Sequence, residues 1–359
     1  MTCTHHNPLH CVVPPYMLEK LASKGKSANA REKALKSLRV SRYFRSTRRE
    51  AQDVFQAMGF RSIAGAAATA APDRLIRKVY DAGGAEELPG KLVRGEGAKP
   101  TQDAAVDAVY DGAGSTDALY REEYGRNSID DRGMEIIQTV HFGQAYQNAF
   151  WNGEQMVYGD GDGSVFGNFT SDIDVIGHEL SHGVTQHEAG LVYEFQSGAL
   201  NEHFSDVFGS LVKQRAANED ARTANWMMGE NVIVGKKYAL RSLKAPGTAY
   251  VNHPVLGTDP QPATMDDFQE LPLWDDQGGV HINSGIPNHA FYLAAIELGG
   301  YAWKKAGLIW YRTLCDLLGE NATFIRAAQA TVQAARGEFG AGSLEEQAVT
   351  KAWKDVKVF

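Results

Sequence analysis

The stretch Asp174-Val175-Ile176-Gly177-His178-Glu179-Leu180-Ser181-His182, followed by Glu202 twenty residues after the second histidine, decides how this chain is read. On a helix, residues four apart share one face about 6 Å apart along the axis, so His178 and His182 can aim both imidazoles at one point. That geometry suits a tetrahedral zinc ion, with His178, His182 and the carboxylate of Glu202 as ligands. Three protein ligands leave a fourth position for water, whereas a structural zinc site is normally closed by four. Glu179 follows a ligand directly and points about 100° away from it, which makes it a base rather than a ligand. In Asn201-Glu202-His203-Phe204-Ser205-Asp206, Asp206 lies one turn beyond Glu202, where it can take the free N–H of a ligating histidine and fix its orientation.

The 359 residues suffice for two domains plus an appendage. No run of eighteen apolar residues occurs, so no membrane span is expected. Met1 to His10 is polar, and Cys11-Val12-Val13 is too short for the apolar part of a secretory signal; a cytoplasmic product is expected, with non-classical export as the alternative. Cys3, Cys11 and Cys315 do not make a disulfide framework. Net charge is −8, yet residues 1–50 hold eleven Lys or Arg against three Glu, so the remainder carries −16. Such a basic arm is drawn to its own acidic body, and it lacks the interleaved aromatics of a nucleic-acid binder.

Along the chain, Pro14-Pro15 precedes a short helix ending before Gly25, and Ser27 can cap a second helix from Ala28 to about Phe44. The two carry too little apolar surface to stand alone. Arg45 to Ala71 reads as a linker exposed to proteolysis. Leu75 to about Asn168 is strand-rich, with helical stretches expected within Ala118 to Arg126 and Met134 to Phe150. Asp160-Gly161-Asp162-Gly163 reads as a hairpin turn rather than a calcium loop, since the terminal glutamate is missing. Thr170 or Ser171 is expected to cap the histidine helix. After Glu202 helices dominate: Gly285 to Leu298, Tyr301 to Leu318, Thr323 to Arg336 and Ser343 to Val356.

Asn148-Ala149-Phe150-Trp151-Asn152, the His178 to His182 motif, Gly198 to Asp206, and Gly278-Gly279-Val280-His281-Ile282-Asn283-Ser284-Gly285 together resemble the thermolysin family of zinc metalloproteases, from about Leu75 to the C-terminus. Pro14-Pro15-Tyr16-Met17-Leu18 resembles the short propeptide of its protealysin-like subgroup. The resemblance implies an α+β, two-domain zincin. Residues 1–60 would be propeptide and linker, 70–190 a mostly β catalytic domain carrying the zinc helix, and 191–359 a mainly α domain. It implies a neutral endopeptidase that cuts before bulky hydrophobic residues and is made as a self-inhibited precursor. Tyr193 and His281 would donate to the oxyanion, Asp276 would orient His281, and Arg241, Asn148 and Ala149 would hold the peptide. Phe166, Phe169, Val175, Met228 and Leu240 would line the main specificity pocket. The partners implied are peptide or protein substrates, the chain's own propeptide and, by family analogy only, a dedicated protein inhibitor; nucleic acid and membrane are not expected, and a monomer is.

Where the family holds paired calcium, this chain has Asp174, Lys213, Asn225, Met227 and Glu230. The expectation is that the Lys213 ammonium replaces a calcium ion by pairing with Asp174 and Glu230, leaving at most one calcium site. A second idea is that Cys3, His5, His6, His10 or Cys11 fills the fourth zinc position in the precursor; steric blocking by the Pro-Pro segment is the alternative. Two further readings compete: a zinc aminopeptidase, for which no α-amine pocket is found, and a non-catalytic zinc-bound interaction module, which has no use for Glu179, Tyr193 and His281 together.

Overall fold

The structure, a computed structural model, describes residues 10–57, 74–235 and 237–359. The chain opens with a two-residue strand, β1 (His10–Cys11), and a helix, α1 (Pro15–Lys24). Proline occupies the first turn of α1 and Gly25 ends it, as their backbone preferences dictate. Helix α2 (Ala28–Ala57) starts where the Ser27 hydroxyl accepts from the Ala30 amide at 3.0 Å. It runs well past Phe44, so Arg45 to Ala57 is helix rather than the expected linker; its run of good helix formers continues without a glycine or proline. The rest of the expected linker, 58–71, lies outside the described residues.

The main body of the chain begins with β2 (Arg77–Asp81), β3 (Lys91–Gly95) and α3 (Ala104–Ala118), the last capped by the Asp103 carboxylate and continuing into a π-helical turn at Leu119–Glu123. Strands β4 (Ile136–Val140), β5 (Ala149–Trp151) and β6 (Met156–Tyr158) follow. The helix expected within Met134 to Phe150 does not form: the β-branched run at Ile136–Val140 enters the sheet instead. The sheet order is β1-β5-β6-β4-β2-β3, parallel at β2/β4 and β4/β6 and antiparallel elsewhere. Without β1, β5 would be an edge whose backbone groups await a partner.

Next come α4 (Ile173–His187), α5 (Phe195–Ala217) and a short pair, β7 (Met227–Met228) with β8 (Arg241–Ser242). The helical C-terminal part comprises α6 (Asp276–Asn283), α7 (Gly285–Leu298), α8 (Ala306–Arg312), which passes into a π-helical turn, α9 (Phe324–Phe339) and α10 (Leu344–Asp355). The residue at the cap position of helix α4 is Asp172, not Thr170 or Ser171. The Asp172 carboxylate makes no capping bond and accepts from Asn231 instead, while Thr170 bonds Asn168. The loop at Asp160 is no tight hairpin either: it leads to a bridge between Phe166 and Ile233, and Asp160 pairs with His141.

Helices α4 and α5 pack closely because small residues face each other at their crossing. A Cβ on Gly209 would sit 2.4 Å from the Asp174 carbonyl and 2.9 Å from the His178 amide. That approach is what lets side chains of α4 and α5 converge.

Candidate metal centre and peptide cleft

Helical spacing puts His178 and His182 on one face of α4, and their Nε2 atoms lie 3.0 Å apart. Glu202 on α5 faces them, with Oε2 3.7 Å from His178 Nε2 and Oε1 3.4 Å from His182 Nε2. All three side chains are fully buried. Among the described residues this is the one group of three or more His, Cys, Asp or Glu whose donor atoms lie within 4.8 Å of one another. Two imidazole lone pairs aimed at each other, beside a buried Glu202 Oε2 that has no hydrogen-bond partner, fit a cation held between them. Their N/O donor set is that of a catalytic zinc site.

The supporting shell is equally specific. Asp206 Oδ1 lies 2.9 Å from His178 Nδ1, and His182 Nδ1 lies 2.8 Å from Asn201 Oδ1 and 2.9 Å from Ser205 Oγ. Hydrogen bonds engage Nδ1 of His182, and Asp206 stands beside Nδ1 of His178 as an ion-pair partner, so the Nε2 atoms are the ones that face the metal position. Burial works against the Asp206 charge, but Arg241 and His178 outweigh it and hold its pKa below the usual carboxylate range. The Asn288 amide also donates to Asp206 Oδ2 at 2.8 Å, and Asn288 Oδ1 meets His203 Nδ1 at 2.8 Å. Ser205 and His203 lie within the Gly198 to Asp206 motif but were given no role there, and Asn288 lay outside every motif, its available signal an amide in the largely apolar α7.

Glu179 lies beside the triad and is fully buried. Burial, then repulsion from Glu202, pushes its pKa well above the ordinary value, while Arg241 and the backbone amides of Trp151 and Val12 pull it back. Neither of its oxygens makes a full hydrogen bond. Opposite stand Tyr193, which donates to Glu202 Oε1, and His281, whose Nε2 is 3.1 Å from the Tyr193 hydroxyl. Asp276 holds His281 from behind, Oδ1 to Nδ1 at 2.5 Å, and its Oδ2 accepts from the amides of His281 and Ile282 at 2.9 and 3.1 Å. Burial lowers the His281 pKa, but the Glu202 and Asp276 carboxylates more than compensate, so the net shift is upward. This hold depends on four successive residues with positive φ, Asp276 to Gly279. A Cβ on Gly278 would strike the Phe195 ring at 2.3 Å.

The N-terminal segment lies in the cleft. β1 pairs antiparallel with β5, His10 opposite Trp151 and Cys11 opposite Phe150, and the Val12 amide donates to the Ala149 carbonyl at 3.2 Å. The Cys11 carbonyl lies 2.9 Å from His281 Nε2, and the Val12 carbonyl accepts from Arg241 Nη1 at 3.1 Å. Arg241 is itself held by Asp206 at 2.9 Å. The Val13 amide donates to Asn148 Oδ1 at 2.9 Å, and Asn148 Nδ2 donates to the Val13 carbonyl at 3.2 Å. Val12 and Val13 are fully buried, and Phe166, Phe169, Val175, Met228 and Leu240, also buried, belong with them to the main apolar core that runs through the molecule. The Cys11 side chain instead packs with Phe142, Tyr146 and Phe150 and does not join the metal group, so it is not the fourth ligand. Cys3, His5 and His6 lie outside the described residues, as does the His10 side chain.

Helices α1 and α2 anchor this strand. Lys20 donates to the Leu256 carbonyl at 2.8 Å, Ser37 accepts from the Gln147 amide at 3.0 Å, and Ser41 bonds Tyr146 at 2.9 Å. Lys36 pairs with Glu86 at 2.8 Å. Farther along α4 and α5, Lys213 Nζ lies 2.7 Å from Asp174 and 3.9 Å from Glu230, and donates to the Met227 carbonyl. The Asn225 amide donates to Glu230 at 2.5 Å. The ammonium thus stands among the groups compared with a calcium site.

A buried His₂Glu set with an adjacent glutamate, at a cleft built on an edge strand, defines a zinc-dependent metallopeptidase. The chain belongs to the thermolysin family: residues 56–186 match its catalytic domain and 189–358 its alpha-helical domain. Within that family it is protealysin-like. It is similar to the precursor of protealysin, a metalloproteinase from Serratia proteamaculans, at 46% identity and a TM-score of 0.85, covering 98% of this chain and 100% of that one. It is 52% identical to Protease PrtS of Photorhabdus sp. (strain Az29) over 80% of this chain and 77% of that protein. An extracellular metalloprotease of Pectobacterium carotovorum subsp. carotovorum is 44% identical over 98% and 97%. The chain is therefore a zinc endopeptidase made as a precursor.

Proposed function

We propose that the enzyme hydrolyses peptide bonds on the amino side of bulky apolar residues and that its own N-terminal segment blocks the cleft until maturation. The observation that carries this is the segment's seat: backbone pairing along β5, one carbonyl at His281 and the next at Arg241. Main-chain pairing of this kind binds an extended peptide without demanding a sequence. The apolar surroundings of Val12 give the preference, and a methylene there counts for only ~1–3 kcal/mol, so selectivity is broad.

In this reading His178, His182 and Glu202 hold zinc, which when bound supplies Lewis acidity toward water and the scissile carbonyl. Glu179 takes a proton from the attacking water and delivers it to the departing nitrogen. Tyr193 and His281 donate to the carbonyl oxygen as negative charge grows there. Asp276 keeps His281 turned toward the cleft, and Asp206 keeps both His178 and Arg241 in place. Arg241 and Asn148 fix the residues beyond the cut, which aligns the bond. In this reading the enzyme is a cytoplasmic monomer, with non-classical export as the alternative, and a dedicated protein inhibitor is a further partner.

The test compares trypsin-nicked wild type with Glu179→Gln on blocked peptides carrying Leu, Ala or Asp after the bond, with and without a zinc chelator. Chelator-sensitive cutting before Leu, weak before Ala and absent before Asp, is expected. Cutting only from a free amino end would make it an aminopeptidase, and inertness with zinc bound would leave the interaction module.

A further inference from the structure

We infer that the Cys11–Val12 peptide bond is itself a cleavage site of this enzyme, cut in cis while the N-terminal segment is docked. The inference rests on the endopeptidase reading above and goes beyond it, because a blocking segment can inhibit in any direction or register. Here direction and register are those of a substrate. The carbonyl that meets His281 Nε2 at 2.9 Å, beside the Tyr193 hydroxyl, is that of Cys11. The next carbonyl, of Val12, is the one Arg241 holds at 3.1 Å, and the Val13 backbone is clamped from both sides by Asn148. The nitrogen between these carbonyls belongs to Val12, whose amide donates to the Ala149 carbonyl at 3.2 Å. Glu179, next to His178 on α4 and buried beside the metal group, is the carboxylate that would carry a proton to this nitrogen. Val12, an apolar residue fully buried, occupies the position after the bond.

In the step, water oxygen bonds to the Cys11 carbonyl carbon and the Cys11–Val12 C–N bond breaks. One water proton reaches the Val12 nitrogen by way of Glu179. The acid and amine then exchange a proton to give a carboxylate on Cys11 and an ammonium on Val12. A neutral strand in a buried cleft becomes two charged ends, which weakens its docking. Residues 12–43 stay anchored through α1 and α2, so this cut loosens the segment and does not by itself release it.

The experiment follows the purified full-length precursor by intact mass and N-terminal sequencing at concentrations spanning a hundredfold. A new terminus at Val12 is expected, first-order and independent of concentration, and absent in Glu179→Gln. Val12→Ala should slow it about 10-fold and Val12→Leu should not slow it. In the inert Glu179→Gln background, Val12→Asp should speed trypsin attack on residues 12–43 at least about tenfold, which reads the register without turnover. Unchanged protection would overturn the register, and appearance of the Val12 terminus only in proportion to concentration would overturn the cis placement. If the trypsin-nicked enzyme cuts the blocked Leu peptide while the bond stays whole in the precursor, this inference falls alone. Inertness toward that peptide would take the endopeptidase reading with it.

Discussion

Helices α4 and α5 carry two clusters of buried charge, and the two solve the same problem in opposite ways. At one, His178, His182 and Glu202 converge with Glu179 and Asp206 and require a cation from outside the chain. At the other, Asp174 is 1% exposed and the cation is built in as the Lys213 ammonium, 2.7 Å away. A side-chain ammonium neutralises a carboxylate but keeps its own proton and offers no open coordination position. It suffices where charge balance is the whole requirement. Chemistry needs an ion whose remaining position can be taken by water or a carbonyl, and there the chain supplies ligands only.

The largest effect expected from testing this contrast is at the chemical cluster. Glu179→Gln should lower kcat by about 10²–10⁴-fold with zinc stoichiometry unchanged; loss of zinc from the variant would mean that Glu179 belongs to the ligand set. Lys213→Ala should remove about 2–3 kcal/mol of stability in urea unfolding, because Asp174 is left buried without its cation. Calcium should then raise the thermal midpoint of the variant but not of the wild type. A wild type that calcium stabilises would break the contrast.

Asp206→Asn joins the two ideas, since it removes a built-in charge that positions both a ligand and Arg241. Zinc affinity should fall about 10–100-fold by competition with a chelator, and KM should rise as Arg241 loses its partner.

The smallest effect lies away from both clusters, where His141 sits 2.9 Å from both Asp160 and Asp103. Burial lowers its pKa, but the two carboxylates outweigh burial and the net shift is upward. A raised histidine contributes fully below its unfolded value of about 6.5 and loses that contribution as pH rises through the folded value. Wild type should therefore lose on the order of 0.5 kcal/mol between slightly acid and alkaline pH relative to His141→Gln. Parallel pH–stability curves for the two proteins would contradict this.

The zinc ligands were legible in sequence because helical periodicity is local: His178 and His182 meet by backbone geometry alone, and Glu202 follows on the next helix. The cap at Ser27 was legible for the same reason, and its hydroxyl does accept the Ala30 amide. Asp172 was missed at the cap position of α4 because its side chain turned to Asn231, a residue 59 positions away. The strand at Ile136–Val140 was missed because its sheet partners, Arg77–Asp81 and Met156–Tyr158, are remote in sequence. Lys213 stood out only against the family pattern, and the distance to Asp174 gave the substitution a physical meaning.

The sequence by itself determined which residues could bind zinc, which glutamate could serve as base, and that a basic N-terminal arm must dock on an acidic body. Local spacing and charge suffice for those conclusions. Only the tertiary structure decided that Asn288 and Ser205 join Asn201 in holding Asp206 and His182, that Cys11 turns its side chain away from the metal group, and that its carbonyl meets His281. A side chain's partner across a fold depends on strand register and helix crossing, and these are set by packing among elements that no local pattern encodes.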